Sequence, residues 1–406
     1  MMRHLLIHSL SFPPDQVSTS YLYGDICKAF ISSGFRVTVI TTTPHFNYSE
    51  SFKSHSLSRL IWRTTNYNGA LVYHFPHTRS KNLFLRVVNI FLFHLAFLLK
   101  AVMLPRFDVV LTSSPSITSG LISAIAAKIK KAKSIYNVQE IYPDVLIKHM
   151  EIRQKWLISL MGQIEKITYR LTNKIVTIDQ CFSDRIQNRL DPKKLSVIPN
   201  FIDTTIYKPY IGEIRSDFSF NDKFLVGYLG NLGGVQDWDC ILEAIQLLET
   251  DDRFHFLIAG GGSEYNRLRD ASNRLTNLTV LPYQPRTSIP ELNHRINLHM
   301  IAMDAASDYD GLPSKVYAIL ASGRPIIASS NADSPLSIFL SSTQFARIVK
   351  RGDPNALAKG IQVAFTERLH LKSSIDVRSL IENNYSKDVV TRKYVELANQ
   401  LIIADA

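Results

Sequence analysis

The chain has 406 residues, more than one comfortable core holds, so it should divide into two domains. With 46% hydrophobic and 20% charged residues and no low-complexity tract, it reads as globular, not fibrous or disordered. The net charge of +11 calls for an anionic partner. No recognition-helix motif or basic cluster interleaved with aromatics is present, so nucleic acid is set aside in favour of a phosphorylated substrate or an anionic membrane face.

In chain order, MMRHLLIHSLSFPP lacks a small-residue cleavage site, so Arg3 to Leu10 reads as a first strand and not as a signal peptide. The loop Ser11 to Ser18 follows. A helical pattern over Tyr21 to Ser33 is closed by Gly34, and Arg36 to Thr41 is the next strand. This βαβ unit opens a parallel, doubly wound sheet whose ligand crevice should lie near Asp15 to Thr19. There Ser18 and Thr19 can contact a phosphate or an acceptor, or simply cap the helix. Cys27, Cys181 and Cys240 lie far apart without CxxC spacing and read as buried thiols in a reducing compartment.

Lys81 to Leu104 is the most hydrophobic stretch. Its longest run without Arg or Lys, Val87 to Leu99, falls short of the roughly 20 residues a bilayer needs. It is either a buried helix or one that dips into the lipid interface. In the second case Phe91 and Phe93 would enter the interface, and Lys81, Arg86, Lys100 and Arg106 would face head groups. Phe107 to Thr112 and Ser134 to Gln139 are further strands. Glu140 lies just beyond the second, where α/β sheets bind ligands, and can orient an acceptor hydroxyl or take its proton. Asp144 reads equally as a helix cap. Lys174 to Ile178 and Leu195 to Ile198 add two short strands, and the polar segment Lys208 to Asp222 reads as a hinge.

A fresh strand, Phe224 to Tyr228, opens the second half. It leads into a glycine-bearing turn in which Gly230 and Asn231 let backbone approach a diphosphate. Asp237-Trp238-Asp239 matches a metal-holding DxD pattern but stands where a helix needs a cap, so no metal site and no cofactor are expected. His255 to Ala259, the Gly260–Ser263 loop and the helix Glu264 to Arg274 form the next unit. After the strand Leu278 to Leu281, Tyr283 can stack, Gln284 can pair and Arg286 can reach phosphate; the alternative is a turn held by Pro282 and Pro285. Ile296 to Ile301 feeds the loop Asp304 to Ser314. Ser314 is a fitting N-cap, and Lys315 adds a full charge to the first helical turn. That lysine is either solvated or the partner of a sugar phosphate.

The segment DAASDYDGLPSKVYAILASGRPIIAS, Asp304 to Ser329, resembles the donor-binding motif of glycosyltransferase family 4. Its PSK-bearing part resembles a bacterial subgroup that builds surface polysaccharides and O-antigens. FPPDQVSTSYLYGDICKAFISSGFRVTVIT, NVQEIYPDVLI, VIPNFIDTTIYKP, VGYLGNLGG, FLIAGGGSEYNRL and VLPYQPRTSIPEL match in order and span most of the chain. The resemblance implies an α/β fold of two Rossmann-like domains facing across a cleft, the GT-B type. Residues 1–205 would bind the acceptor and 206–386 the nucleotide sugar, with the helix 387–406 returning to the first domain. It implies a retaining transfer from a nucleotide-diphosphate sugar to a lipid-linked or oligosaccharide acceptor. The place would be the cytoplasmic, inner face of the cell membrane, with residues 81–106 touching anionic lipid.

On that pattern Lys315 stabilises the departing diphosphate and Gly311, Leu312, Pro313 and Ser314 line the donor. Counted back from Gly323, Asp310 takes the place of the first of two glutamates and contacts the donor sugar. Ala318 takes the place of the second and cannot bond ribose through its side chain. A basic pair near the glycine turn is replaced by Asn231 and, further on, Gln236 or Asp237. These departures keep two other classes in view: a non-catalytic partner subunit of the same fold, and a nucleotide-sugar epimerase.

Overall fold

The computed structural model describes residues 2–45, 62–77, 80, 82–149, 153–209, 223–367, 369 and 374–404. Most of the segment read as a hinge, and Lys81, lie outside them. The chain forms two compact units, Met1–Asn200 with Asp388–Ala406, and Phe201–Lys387.

In the first unit, β1 (His4–His8), β2 (Arg36–Thr42), β3 (Arg63–Tyr67), β4 (Ala70–Phe75), β5 (Val109–Ser113), β6 (Lys133–Val138), β7 (Lys174–Thr177) and β8 (Leu195–Val197) form one sheet. Its order is β3-β4-β2-β1-β5-β6-β7-β8, parallel except for the β3–β4 pair. Strand β1 reads Leu-Leu-Ile between two histidines, and every residue of β1 and β5 is buried, as expected of parallel strands covered on both faces. Strand order reverses between β1 and β5, which makes that edge the topological switch point. The β3–β4 hairpin is absent from the sequence reading. It turns on Asn68-Gly69, both at positive φ (50° and 98°), the pairing that a tight two-residue hairpin favours.

The apolar stretch folds as one helix, Leu83–Met103, started by the Asn82 side chain, which accepts from the Phe84 backbone N–H at 2.9 Å. Its Phe84–Met103 portion is long and apolar enough to cross a membrane by length and composition, which corrects the expectation that it is too short. Counting only the run free of Arg and Lys left out the apolar turns on either side. One face is core: Phe93, Phe97 and Ala101 are fully buried against Leu6, Ile40 and Val110. The opposite face, Phe84, Val87, Phe91, Leu95 and Leu99, is exposed. Phe91 and Phe93 therefore belong to different faces. Lys100 does not face outward as expected, because its ammonium lies 4.0 Å from the Tyr73 ring centroid. The final helix, Lys387–Ile403, belongs to this unit and buries Val390, Tyr394 and Ala398.

In the second unit, β9 (Phe224–Asn231), β10 (Phe254–Gly261), β11 (Leu278–Leu281), β12 (Leu298–Ala302), β13 (Ile326–Ser329) and β14 (Ala346–Val349) form a parallel sheet in the order β11-β10-β9-β12-β13-β14. Here the order reverses between β9 and β12. Two apolar clusters flank it, one built on Phe224, Val226, Trp238, Ile241 and Phe256, the other on Val316, Tyr317, Leu320, Ile326 and Leu340. Burial on this scale stabilises each side chain by about 1.5–3 kcal/mol and fixes the sheet that carries the loops described next.

Candidate active site

At the β9–β12 switch point, β9 ends in Gly230-Asn231 and the loop after β12 runs to Lys315. The two meet: Lys315 Nζ stands 3.6 Å from the centroid of the Tyr228 ring. A Cβ at Gly230, whose φ is +142°, would lie 3.0 Å from that ammonium, so the glycine leaves room for the cation. Burial alone lowers the Lys315 pKa from 10.5 to about 7. Tyr228 also donates from its hydroxyl to the Asn231 carbonyl at 2.8 Å, and its ring meets Trp238 edge-on at 5.0 Å. Trp238 Nε1 donates to the Gly233 carbonyl at 2.9 Å. Two aromatic side chains therefore hold the glycine turn from beneath. Sequence reasoning missed Tyr228, which reads there only as the end of an apolar strand.

The floor of the turn is backbone against backbone. A Cβ at Gly260 would fall 1.8 Å from the Gly230 carbonyl oxygen, and one at Gly262 would fall 2.3 Å from that of Leu232. Asn231 itself is exposed. Ser314 is not the cap expected: its φ and ψ (−58°, −24°) are already helical and its side chain makes no capping bond. The helix it precedes, Lys315–Ala321, has 7 residues, so the positive charge here is the lysine's and not a long helix dipole's. Asp310, Gly311, Leu312 and Pro313 lead directly into Ser314, with Gly311 buried at φ +87° and Leu312 packed on the Val316 cluster.

Tyr283 follows β11, is 45% exposed, and places its Cβ 3.8 Å from where a Gly261 Cβ would stand, beside the end of β10. Gln284 donates to the Pro282 carbonyl at 2.9 Å within its own turn, and the Arg286 guanidinium lies 5.9 Å from the Tyr207 ring centroid. Asp237 caps the helix Trp238–Leu247, accepting from the Cys240 N–H at 3.0 Å, while Asp239 points to solvent and pairs with Arg267.

In the first unit, Ser18 and Thr19 are the opening residues of the helix Ser18–Ser32, and its N-cap is Val17 without a side-chain bond. The capping alternative for them is thereby corrected. Glu140 follows β6 as expected. Its N–H donates to Ser114 Oγ at 2.8 Å, and its Oε2 accepts from the Tyr142 hydroxyl at 2.8 Å. Burial and the Glu140 carboxylate push that hydroxyl's pKa up. Asp144 is held by Arg189 at 2.7 Å and Arg185 at 3.6 Å; Arg189 also grips Glu165, which makes this a structural triad.

Two α/β units with largely parallel sheets, each with a strand-order reversal, have the two-Rossmann-like GT-B fold. Residues 22–206 match the family model described as Glycosyltransferase Family 4, and residues 211–386 the model described as Glycosyl transferases group 1; the two matches support a glycosyltransferase. The Escherichia coli (strain K12) protein named "Putative colanic acid biosynthesis glycosyl transferase WcaI" is 21% identical over 411 residues, covering 96% of this chain and 98% of the relative. Among solved structures, Anabaena Alr3699/HepE in complex with UDP-glucose superposes with a TM-score of 0.71 at 14% identity, covering 98% of this chain and 99% of that one. WaaG, a glycosyltransferase involved in lipopolysaccharide biosynthesis, gives 0.68 at 12% identity, covering 97% and 99%.

Proposed function

We propose that this glycosyltransferase moves a sugar, with retained anomeric configuration, from a nucleoside-diphosphate donor to a hydroxyl of a lipid-linked or growing saccharide in bacterial surface-polysaccharide synthesis, O-antigen included. The observation that carries the donor half is Lys315: a partly buried ammonium on an aromatic face, at a glycine turn, with no carboxylate paired to it among the described residues. A diphosphate there supplies the missing counter-charge, and the same contact stabilises the charge that develops on it as the glycosidic bond breaks. The loop from Asp310 to Ser314 lies next to it in the chain to receive the donor sugar, Asn231 offers its exposed amide to phosphate, and Tyr283 offers a ring for the base to stack on. Arg286 must leave Tyr207 to reach phosphate. The UDP-glucose bound by HepE supports the donor class, and the names of WcaI and WaaG support the pathway class.

The acceptor half rests on Glu140, whose carboxylate can orient a hydroxyl or accept its proton. Ser18 and Thr19 offer hydroxyls at the start of the first helix. For the membrane, the exposed face of Leu83–Met103 is a single apolar stripe with Arg86 among it and Arg106 beyond it, suited to lie in an anionic interface at the inner face of the cell membrane.

The test is transfer of label from a panel of radiolabelled nucleoside-diphosphate sugars, UDP-glucose among them, into isolated bacterial membranes. Label incorporated by the wild type and lost in Lys315→Ala supports the reading. Equal incorporation by both removes Lys315 from the chemistry, and none by either removes transfer.

A further inference from the structure

The carboxyl end of β1 carries a histidine that the reaction as described leaves unused. His8 is buried and stacks on Phe97, ring centroids 3.6 Å apart. Its Nδ1 lies 2.8 Å from Ser123 Oγ, and its Nε2 lies 3.3 Å from Nδ1 of His94, also buried, on the inner face of the helix Leu83–Met103. His94 Nε2 lies 3.0 Å from Ser116 Oγ, which lies 3.0 Å from Thr118 Oγ1. These contacts form one continuous chain of hydrogen bonds. It starts in the core and surfaces at the half-buried loop after β5, on the switch point of the first sheet.

Three features single out that loop. Ser116 has φ +118°, a conformation that side-chain-bearing residues adopt only when their surroundings impose it. Ser114 Oγ receives the N–H groups of Gln139 and Glu140, each at 2.8 Å, and the Tyr142 hydroxyl donates to the Glu140 carboxylate, also at 2.8 Å. The loop and Glu140 therefore share one hydrogen-bond network.

The chain also has a direction. A neutral imidazole has one donor nitrogen and one acceptor nitrogen. If Ser123 donates to His8, then His8 must donate from Nε2, and His94 must also donate from Nε2, to Ser116. If Ser116 donates inward, both rings carry the proton on Nδ1 instead. The two histidines therefore share one tautomer, and the sense of the Ser116 hydroxyl is coupled to them. Burial keeps both rings neutral, with His94 drawn down to about 4.

We propose that His8 and His94 are positioning residues that, through the Ser116 hydroxyl, fix the loop Ser114–Thr118 beside Glu140 to receive the acceptor hydroxyl. The acceptor role rests on the glycosyl-transfer reading; the shared tautomer does not. Ring nitrogens are read by NMR of the full chain labelled with 15N-histidine. The expected result is two neutral rings with the same nitrogen protonated, and a shift of the His8 signals in Ser116→Ala although Ser116 does not touch His8. Opposite tautomers, a charged ring, or an unmoved His8 would overturn the relay.

The second arm measures initial transfer rates from the labelled-donor panel against the concentration of isolated membranes, alongside UDP affinity and melting temperature. Ser116→Ala and His94→Phe should raise the membrane concentration for half-maximal rate about tenfold and leave UDP affinity unchanged. His94→Gln, which restores a polar group toward Ser116, should recover most of the loss. Unchanged membrane dependence, or UDP affinity falling in step, refutes the acceptor role. A wild type that transfers no label counts against glycosyl transfer and the acceptor role together, and the NMR result then stands alone for the relay.

Discussion

Lys315 and Tyr228 are paired through space, ammonium over ring at 3.6 Å, although 86 positions separate them in the chain. A cation–π contact of this kind stabilises by roughly 0.5–2 kcal/mol, less than a diphosphate offers. Tyr228 is thus a resting place for the cation, from which an anion can draw it.

The pH dependence of donor binding follows from the Lys315 pKa of about 7 in the free protein. A bound diphosphate raises that pKa, so binding takes up a proton whenever the free lysine is neutral. Above about pH 7, where the terminal phosphate of UDP is already ionised, UDP affinity should fall as pH rises. In Lys315→Met the slope should vanish. Calorimetric titration between pH 6 and 9 decides this, and an equal slope in both proteins would assign it to another group.

Stability should move the other way. With a folded pKa near 7 and an unfolded value near 10.5, the unfolded chain binds the extra proton between those limits, so this lysine's contribution makes the fold more stable as pH rises through that window. Below pH 7 both states are protonated and the penalty for the buried charge is fully present. Lys315→Met should therefore raise stability at pH 6 by about 1 kcal/mol or more, with the gain shrinking toward pH 10, while transfer is lost. Urea unfolding at the two pH values tests it; a destabilised mutant at pH 6 would contradict the account.

Tyr228 separates its two roles by substitution. Tyr228→Phe keeps the ring beneath the ammonium and loses only the bond to the Asn231 carbonyl, about 1 kcal/mol. Tyr228→Leu loses the ring as well and should cost about 2–4 kcal/mol. UDP affinity should survive the first change better than the second, and the reverse order would place the function in the hydroxyl.

The two faces of the helix Leu83–Met103 should respond differently. Phe91→Ser, on the exposed face, should weaken sedimentation with anionic liposomes and leave the melting temperature nearly unchanged. Phe93→Ser, on the buried face, should destabilise by about 3–5 kcal/mol. Equal loss of stability in both would mean that the outer face is covered by protein.

Asp237→Ala should cost about 1 kcal/mol of stability through loss of the helix cap, and Asp239→Asn almost nothing. Neither Asp239→Asn nor a chelator should alter transfer measured with labelled donor. Manganese-dependent activity abolished by Asp239→Asn would give the Asp-Trp-Asp segment a metal role instead.

The alternation of apolar runs with helical patterns, from Arg3 to Thr41 and again from Phe224 onward, made two parallel α/β halves readable from residues alone. Local signals were missed where they were strongest: Asn68-Gly69 announces a hairpin by the usual rule. Other errors were physical. Ser314 has the chemistry of a cap, but its backbone is already helical, and no pattern of residue types fixes those angles. The Tyr228–Lys315 contact, the Arg189–Asp144–Glu165 triad and the His8–His94 pair join positions far apart in the chain, brought together only by strand order. Sequence periodicity states which face a side chain takes, not which neighbour it finds there.

The close approach of β9 and β10 at Gly230 and Gly260 leaves no space for even a methyl group. Mutation cannot reshape that floor by small steps, because any side chain in place of Gly260 must first push the paired strands asunder. Change is therefore channelled to the rim, where Asn231 and Tyr283 are exposed and can be exchanged singly without disturbing the sheet. A chain built this way can vary at its rim while the glycine floor is held fixed.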